Sequence, residues 1–488
     1  ADGQMSVTAS APQLRFDGAL ALNKPQLALE VAAAALPGGT AAGSLNMEQL
    51  GFDPDTGTIA LRALRGSLQL AEADIDLTAD GSLGTGATAL AGDFQLAELS
   101  PRELLATLGE PLPETADPTV MTRLAAKGDW QLRDDSLALD GLAVQLDDSS
   151  LTGKISARNF DKPKLAFELA VDALNLDRYL APESESAAEG QGAGRDQQEA
   201  DLEGLRSLDL EGGLKVGALT VTNLLIEDLT ARLTVRDGVI RLDPATARLY
   251  DGTYSGSVTV DASGPELELD LDQTLQGVQT VGLLNDFAEV DQLTGAMGAR
   301  IRASGSGRNQ DELLRNLKGD LSFDLADGVY QGMDIWHEIR RARALIRRKA
   351  PPARSGENQT VINTLTVQGK LADGVLRSQR MEAEIPFLRL SGDGALDVLS
   401  QELDYRFEAK VFETPTFPDG ESYDDLTGLT IPVTISGAAE KPQIGVDLAA
   451  LATNVAVQKA TDKLFERLGI GKQEQQQEPA ATEGEPAD

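Results

Sequence analysis

The sequence predicts a mainly β protein: a long, curved, mostly antiparallel sheet forming an elongated apolar groove, with a few short helices. Three observations predict it. Apolar and polar residues alternate strictly over many short runs, Asp-Gly turn signals separate those runs, and helical periodicity is confined to a few stretches between strand blocks. Successive side chains of a strand point to opposite faces, so strict alternation means one oily face and one wet face.

The runs follow in chain order. PQLALEV puts Leu27, Leu29 and Val31 on one face, and KLAFELAVD does the same for Leu165, Phe167, Leu169 and Val171. In LYDGTYSGSVTVD a tight turn leads into a strand with Tyr254, Val258 and Val260 on one side and Ser255, Ser257, Thr259 and Asp261 on the other. PELELDLD sets Leu267, Leu269 and Leu271 against Glu266, Glu268, Asp270 and Asp272, whose charges cannot all be buried without partners. LSFDL contributes Leu321, Phe323 and Leu325, and LDYRFEAKV contributes Leu403, Tyr405, Phe407 and Val411 against Asp404, Arg406, Glu408 and Lys410. These apolar sets are the candidate groove lining. Asp237-Gly238, Asp251-Gly252, Asp327-Gly328 and Asp373-Gly374 read as hairpin turns, and their surroundings VRDGVIR, LADGVYQ and LADGVLR read as degenerate repeats. On the order of 25 to 30 strands result, which at ~4.8 Å spacing make a sheet roughly 120 to 140 Å long.

Helices are expected near 100–108, where Ser100, Pro101 and Glu103 form a capped start and Gly109 a stop, and near 309–317. A third is expected at 333–349, with Ile335, Trp336, Ile339, Ala342, Leu345 and Ile346 on one stripe, and a last at 448–470. The 181–204 stretch and the 471–488 tail lack the apolar content to offset ordering entropy and read as a disordered acidic loop and a disordered tail. The loop divides the chain into β segments at 1–180 and 205–447.

The chain has 488 residues, a formal charge of −35, no cysteine and one histidine. The acidic balance excludes a basic nucleic-acid footprint, and the absence of cysteine excludes disulfides and thiolate metal sites. No run of eighteen apolar residues occurs, and the start, Ala1-Asp2-Gly3, reads as that of a processed chain or, the favoured reading, of a piece cut from a longer one. A lone histidine, His337, leaves no multi-histidine metal site and reads as a surface or interfacial residue. Gly153-Lys154 and Gly369-Lys370 read as strand edges and DPDTG at 53–57 as an ordinary turn. No catalytic residue, metal ligand or cofactor site is assigned.

One local charge anomaly stands out: Arg340, Arg341, Arg343, Arg347, Arg348 and Lys349 gather beside the stripe containing Trp336. Two readings are open. The helix packs over the end of the sheet with its arginines in solvent or paired to carboxylates, or it lies on a membrane with Trp336, Arg340, Arg341, Arg347 and Arg348 at lipid headgroups.

Three stretches carry a family resemblance: GLAVQLDDSSLTGKISARNFDKPKLAFELAVDALNLDRYLAP at 141–182, ARLYDGTYSGSVTVDA at 247–262 and LKGDLSFDLADGVYQGMDI at 317–335. In this order and combination the sequence resembles the AsmA family of Gram-negative envelope proteins over about residues 90 to 470. The resemblance implies a periplasmic β-groove similar to that of chorein-type bridge lipid transfer proteins, anchored to the inner membrane by an N-terminal helix outside this sequence. It implies phospholipid transport between the envelope membranes and a role in outer-membrane biogenesis. The implied partners are phospholipid acyl chains in the groove, the inner membrane, and an outer-membrane or periplasmic protein; it implies no catalytic motif. The alternative is a non-enzymatic structural scaffold assisting outer-membrane protein assembly, its apolar faces packed on one another.

Overall fold

The computed structural model describes residues 3–454 apart from 18, 34–39, 85–86, 182–205, 289, 351, 354–355, 399, 418–419, 440–441, 448 and 451–452. Alternation of the kind found in the sequence leaves each strand with one face to bury, and the described strands satisfy it in a single sheet of 26 strands that does not close. Its first strands are broken lines. β1 (Gly3–Ser10) and β2 (Gln13–Asp17) run against β4 (Gln26–Ala33) and β3 (Ala19–Asn23), which face β5 (Thr40–Asn46) and β6 (Gln49–Asp53) in turn. The first two breaks fall at Pro12 and Pro25, which have no N–H to give to a ladder. β7 (Thr58–Leu70) is long enough to pair with both β6 and β5, and it closes the breaks into one surface.

An antiparallel meander follows through β8 (Ala73–Leu83), β9 (Ala89–Leu99), β10 (Leu124–Arg133), β11 (Ser136–Leu146), β12 (Ser149–Arg158) and β13 (Lys164–Asn175). β14 (Asp209–Val221) then lies parallel to β13, the one parallel pair among the described strands. A hairpin turn reverses the chain, so a parallel neighbour needs a connection of a dozen residues or more. Residues 176–208 supply it, and the expected acidic loop at 181–204 falls here, beyond Ala181 outside the described residues. The segments on either side of that loop therefore share one sheet. The second meander comprises β15 (Leu224–Arg236), β16 (Val239–Leu249), β17 (Gly252–Asp261), β18 (Leu267–Gln279), β19 (Leu293–Gly307), β20 (Lys318–Gln331), β21 (Gln359–Ala372), β22 (Val375–Ile385), β23 (Leu388–Asp397), β24 (Glu402–Val411), β25 (Thr430–Ala438) and β26 (Gln443–Val446).

The turn signals divide in outcome. Asp237-Gly238 and Asp373-Gly374 form two-residue hairpin loops with both residues at positive φ, as that turn requires. At Asp251-Gly252 the loop is one residue earlier: Tyr250 and Asp251 take the positive φ values and Gly252 already pairs with Leu249. Asp327-Gly328 is no hairpin. It lies inside β20 as a bulge, where Asp327 and Gly328 oppose the single Gly295 of β19 between Thr294 and Ala296. Similar register shifts recur across the sheet, for example in β7/β8, β11/β12 and β18/β19. Bulges bend and twist the strands that carry them, which a sheet of this width needs in order not to lie flat. Gly153 and Gly369 lie within β12 and β21, and Asp53 ends β6 at a turn whose Asp55 N–H it accepts at 2.9 Å.

Four α-helices are described. α1 (Pro101–Leu108) starts as expected, with the Ser100 hydroxyl accepting from the Glu103 N–H at 3.3 Å, and stops at Gly109 with φ 75°. α2 (Thr280–Ala288) follows β18 directly and was not expected; α3 (Gln310–Asn316) and α4 (Ile335–Ile346) were, the latter capped by Asp334. The expected helix at 448–470 is described only at 449–450 and 453–454, both helical, with the Asp447 carboxylate accepting from Ala449 and Ala450; the rest of it and the tail at 471–488 lie outside the described residues. Among the described residues no helix is long and apolar enough to cross a membrane.

Candidate functional site

Directly opposed residues of neighbouring strands carry their side chains on the same face, so the register decides which alternating sets meet. From β10 to β24 one unbroken line of opposed residues reads Trp130, Leu139, Ile155, Phe167, Gly212, Leu233, Leu242, Val258, Leu271, Ala303, Gly319, Leu371, Leu376, Leu396 and Leu403. Every member is apolar or glycine. A second line runs from β2 to β19 through Leu14, Leu22, Leu50, Leu61, Gly81, Leu90, Leu132, Leu137, Ala157, Leu165, Leu210, Val235, Ile240, Val260, Leu269 and Gly305. The glycines have a reason where an aromatic ring lies across them: a Cβ on Gly212 would stand 2.5 Å from the Phe167 ring.

The register thus puts the candidate lining residues on one face of the sheet: Leu165, Phe167, Leu169 and Val171 on β13, Tyr254, Val258 and Val260 on β17, and Leu267, Leu269 and Leu271 on β18. Leu321, Phe323 and Leu325 on β20 and Leu403, Tyr405, Phe407 and Val411 on β24 join them. The opposite face is charged and wet, with Asp272 bridged by Arg300 and Arg302 at 2.9 Å each. Gln273 and Tyr254 place a polar pair on the apolar face, the Tyr254 hydroxyl donating to the Gln273 amide oxygen.

Cover over this face differs from place to place along the sheet, with Val216 on β14 and Val235 on β15 each 4% exposed. Leu14 and Phe16 on β2 are 68% and 74% exposed. The large side chains of the first line are half-buried throughout, from Trp130 to Leu403. On β24, by contrast, Tyr405, Phe407 and Val411 are sealed, as is Leu325 on β20, which packs with Val278 and Met297.

The seal over β24 is α4 and a strap made of residues 412–417 and 420–429. Ile335, Trp336, Ile339 and Ala342 pack with Leu388, Leu390, Tyr405, Phe407, Leu426, Leu429 and Val433 in one cluster. Trp336 donates from its indole N–H to the Pro386 carbonyl at 2.9 Å and meets Phe417 edge-on. This corrects the placement of two headgroup candidates: Trp336 is interior, and Arg340, one turn later on the same stripe, is 3% exposed with its guanidinium 4.5 Å from the Phe417 ring centre. Arg347 is exposed but engaged, since Asp425 accepts from Arg343 at 2.6 and 2.9 Å and from Arg347 at 2.5 Å. Burial works against the ionised form of Asp425, but Arg343 and then Arg347 prevail and hold its pKa below the ordinary 3.8. Arg341, paired with Glu338 at 3.2 Å, and Arg348 stay exposed. His337 is buried, not at the surface, because it sits in the first turn of the helix that the strap covers.

A second cluster ties the two stretches at either end of the 141–182 segment. Asp147 of LDD is 4% exposed and accepts from the backbone N–H of Met121, Thr122 and Arg123 at 2.7, 2.9 and 3.1 Å and from the Tyr179 hydroxyl at 2.8 Å. Burial would raise its pKa, yet these four donors outweigh it and hold the carboxyl at about 2. Burial and the neighbouring Asp147 push Tyr179 up to about 12. Arg178 reaches Asp117 at 2.8 Å and Asp148 at 3.3 Å, while Asp177 accepts from the N–H groups of Thr222 and Asn223 at 2.6 and 2.8 Å in the β14–β15 turn. Consecutive residues of LDRY therefore staple the connector before β10, the β11–β12 turn and the first turn beyond the parallel step. This role was not assigned from sequence; the acidic-aromatic pairing of LDD with LDRY was its only signal.

Among the described residues no grouping of His, Asp and Glu is arranged to hold a metal ion. A sequence profile described as the AsmA family matches residues 16–381, well over half of the chain. Protein AsmA of Escherichia coli (strain K12) is 24% identical over 297 residues, which cover 58% of this chain and 48% of that protein. AsmA family protein YhjG of the same strain is 20% identical over 246 residues, 49% of this chain and 33% of its own length. The chain thus spans about half the length of the first relative and a third of the second. The extent of the profile match, over a sheet that keeps one apolar face throughout, shows that the chain belongs to the AsmA family.

Proposed function

We propose that this chain is the lipid-carrying body of a periplasmic protein, anchored to the inner membrane, that moves phospholipid between the inner and outer membranes in outer-membrane biogenesis without a catalytic step. One observation carries the proposal: the line of apolar residues from Trp130 to Leu403 whose large members are only half-buried. A closed core would seal them. Acyl chains are the occupants that fit, since each methylene moved out of water is worth ~0.8 kcal/mol and the line offers many similar sites in place of one specific one. A chain of weak, equivalent contacts permits sliding, and the headgroups remain in water beside the charged face. Purification without detergent, followed by native mass spectrometry and lipid extraction, tests the reading. Copurifying phospholipid is expected; lipid-free protein that takes up none from phospholipid vesicles overturns it. The sealed cluster under α4 favours a second reading for the C-terminal end, a packed scaffold that docks an envelope protein partner and binds no lipid.

A further inference from the structure

We infer that the part of the apolar face running through Tyr405, Phe407 and Val411 is closed to lipid, while the neighbouring row that ends at Leu403 stays half-buried, and that α4 with the strap is a latched roof over the closed part. The inference rests on the lipid reading and adds which part of the face lipid reaches. The closed part is continuous with the same face: Phe323, Val367, Met381, Gly392, Phe407 and Val433 stand opposite one another from β20 to β25. Cover changes along that line. Phe323 and Met381 are half-buried and Val367 between them is 9% exposed, whereas Phe407 is 5% and Val433 1% exposed, and Trp336 and Ile339 of the helix lie in the same cluster. An acyl chain and the helix therefore compete for one surface. The roof is pinned at its outer side by Asp425 of the strap, which holds both Arg343 and Arg347. Helix and strap are separate in sequence, so these ion pairs join two elements that must part for the face to open. Charge pairs at a partly exposed margin are weaker than a sealed apolar core, which makes them the place where opening begins.

Diazirine-acyl phosphatidylethanolamine in vesicles, irradiated with the protein and mapped by peptide mass spectrometry, reads this directly. Labels are expected on the peptides carrying Leu165 to Val171 and Leu267 to Leu271, with at least tenfold less on Tyr405 to Val411. In Asp425→Ala, labelling over Tyr405 to Val411 is expected to rise severalfold while that on β18 stays constant. If circular dichroism shows Asp425→Ala to be unfolded, the paired Arg343→Gln and Arg347→Gln substitutions replace it. Equal labelling of β18 and β24 in the wild type overturns the roof and leaves the lipid reading standing. Labels nowhere overturn the lipid reading and the roof with it. A folded latch variant with no new label on β24 overturns the latch.

Discussion

Replacing Asp147 with Asn removes a charge that five donors surround, three backbone N–H groups and the Thr122 and Tyr179 hydroxyls, while keeping the side chain's shape. The magnitude follows from the carboxyl: it is held at about 2 against an ordinary 3.8, and that difference corresponds to about 2.5 kcal/mol favouring the ionised form in the folded state. Because the folded value lies below the unfolded one, this stabilisation is complete above about pH 4 and is lost as pH falls towards 2. In a sheet where each strand touches only its neighbours, a local loss opens the local structure and leaves distant strands intact. Hydrogen exchange at pH 7 is therefore the assay of choice. Amide protection at Met121, Thr122 and Arg123 is expected to drop by roughly 60-fold in D147N, the equivalent of that energy, with β22 to β24 unchanged. Protection within threefold of wild type at those three amides would refute the staple.

Further outcomes are expected elsewhere. Gly212→Ala drives a Cβ to 2.5 Å from the Phe167 ring and carbonyl, so the β13–β14 pair should lose about 1–3 kcal/mol, read as a lower urea midpoint and faster exchange in β14. Leu269→Asp on the half-buried face should abolish phospholipid copurification at a cost of about 1 kcal/mol, whereas Val433→Asp in the sealed cluster should cost about 4 kcal/mol; equal urea midpoints for the two would remove the distinction between face and core. Of the six tyrosines, Tyr179 and Tyr250 are held up at about 12 by burial and by Asp147 and Asp286, so absorbance at 295 nm should show at least two phenols still protonated at pH 11. Their raised values stabilise the fold below pH 10 and cease to do so as pH climbs through 12.

The alternating runs were legible because a strand with one wet face writes its period into the sequence, as in Leu267, Leu269 and Leu271 against their acidic neighbours. Turn positions were legible only where both loop residues tolerate positive φ. At Tyr250-Asp251 the loop slid one residue to put Gly252 in the ladder, and at Asp327-Gly328 the same dipeptide served a bulge, a choice fixed by β19 and not by local sequence. α2 was missed because Thr280 follows Gln279 without any turn residue, although Leu283, Leu284 and Phe287 hold helical spacing. Arg340 looked like solvent-facing charge; its place one turn after Trp336 was the sign that the aromatic strap would cover it. The staple made by Asp147, Arg178 and Tyr179 joins residues about thirty positions apart, a distance at which periodicity carries no information.

The single parallel step also shapes how the chain reaches its final form. Most strands join by hairpins, whose ends meet quickly, so β1 to β13 and β14 to β26 can each grow strand upon strand during synthesis. Joining the two halves instead requires residues 176–208 to close a loop, an entropic cost of about 3 kcal/mol before any β13–β14 contact repays it. This step is the slow one, and until it is complete two bare edges, one ending the first half at β13 and one beginning the second at β14, are open to strands from other chains. Asp177 reaches across to the β14–β15 turn at this point, so in the folded chain it helps to keep those two edges paired with each other.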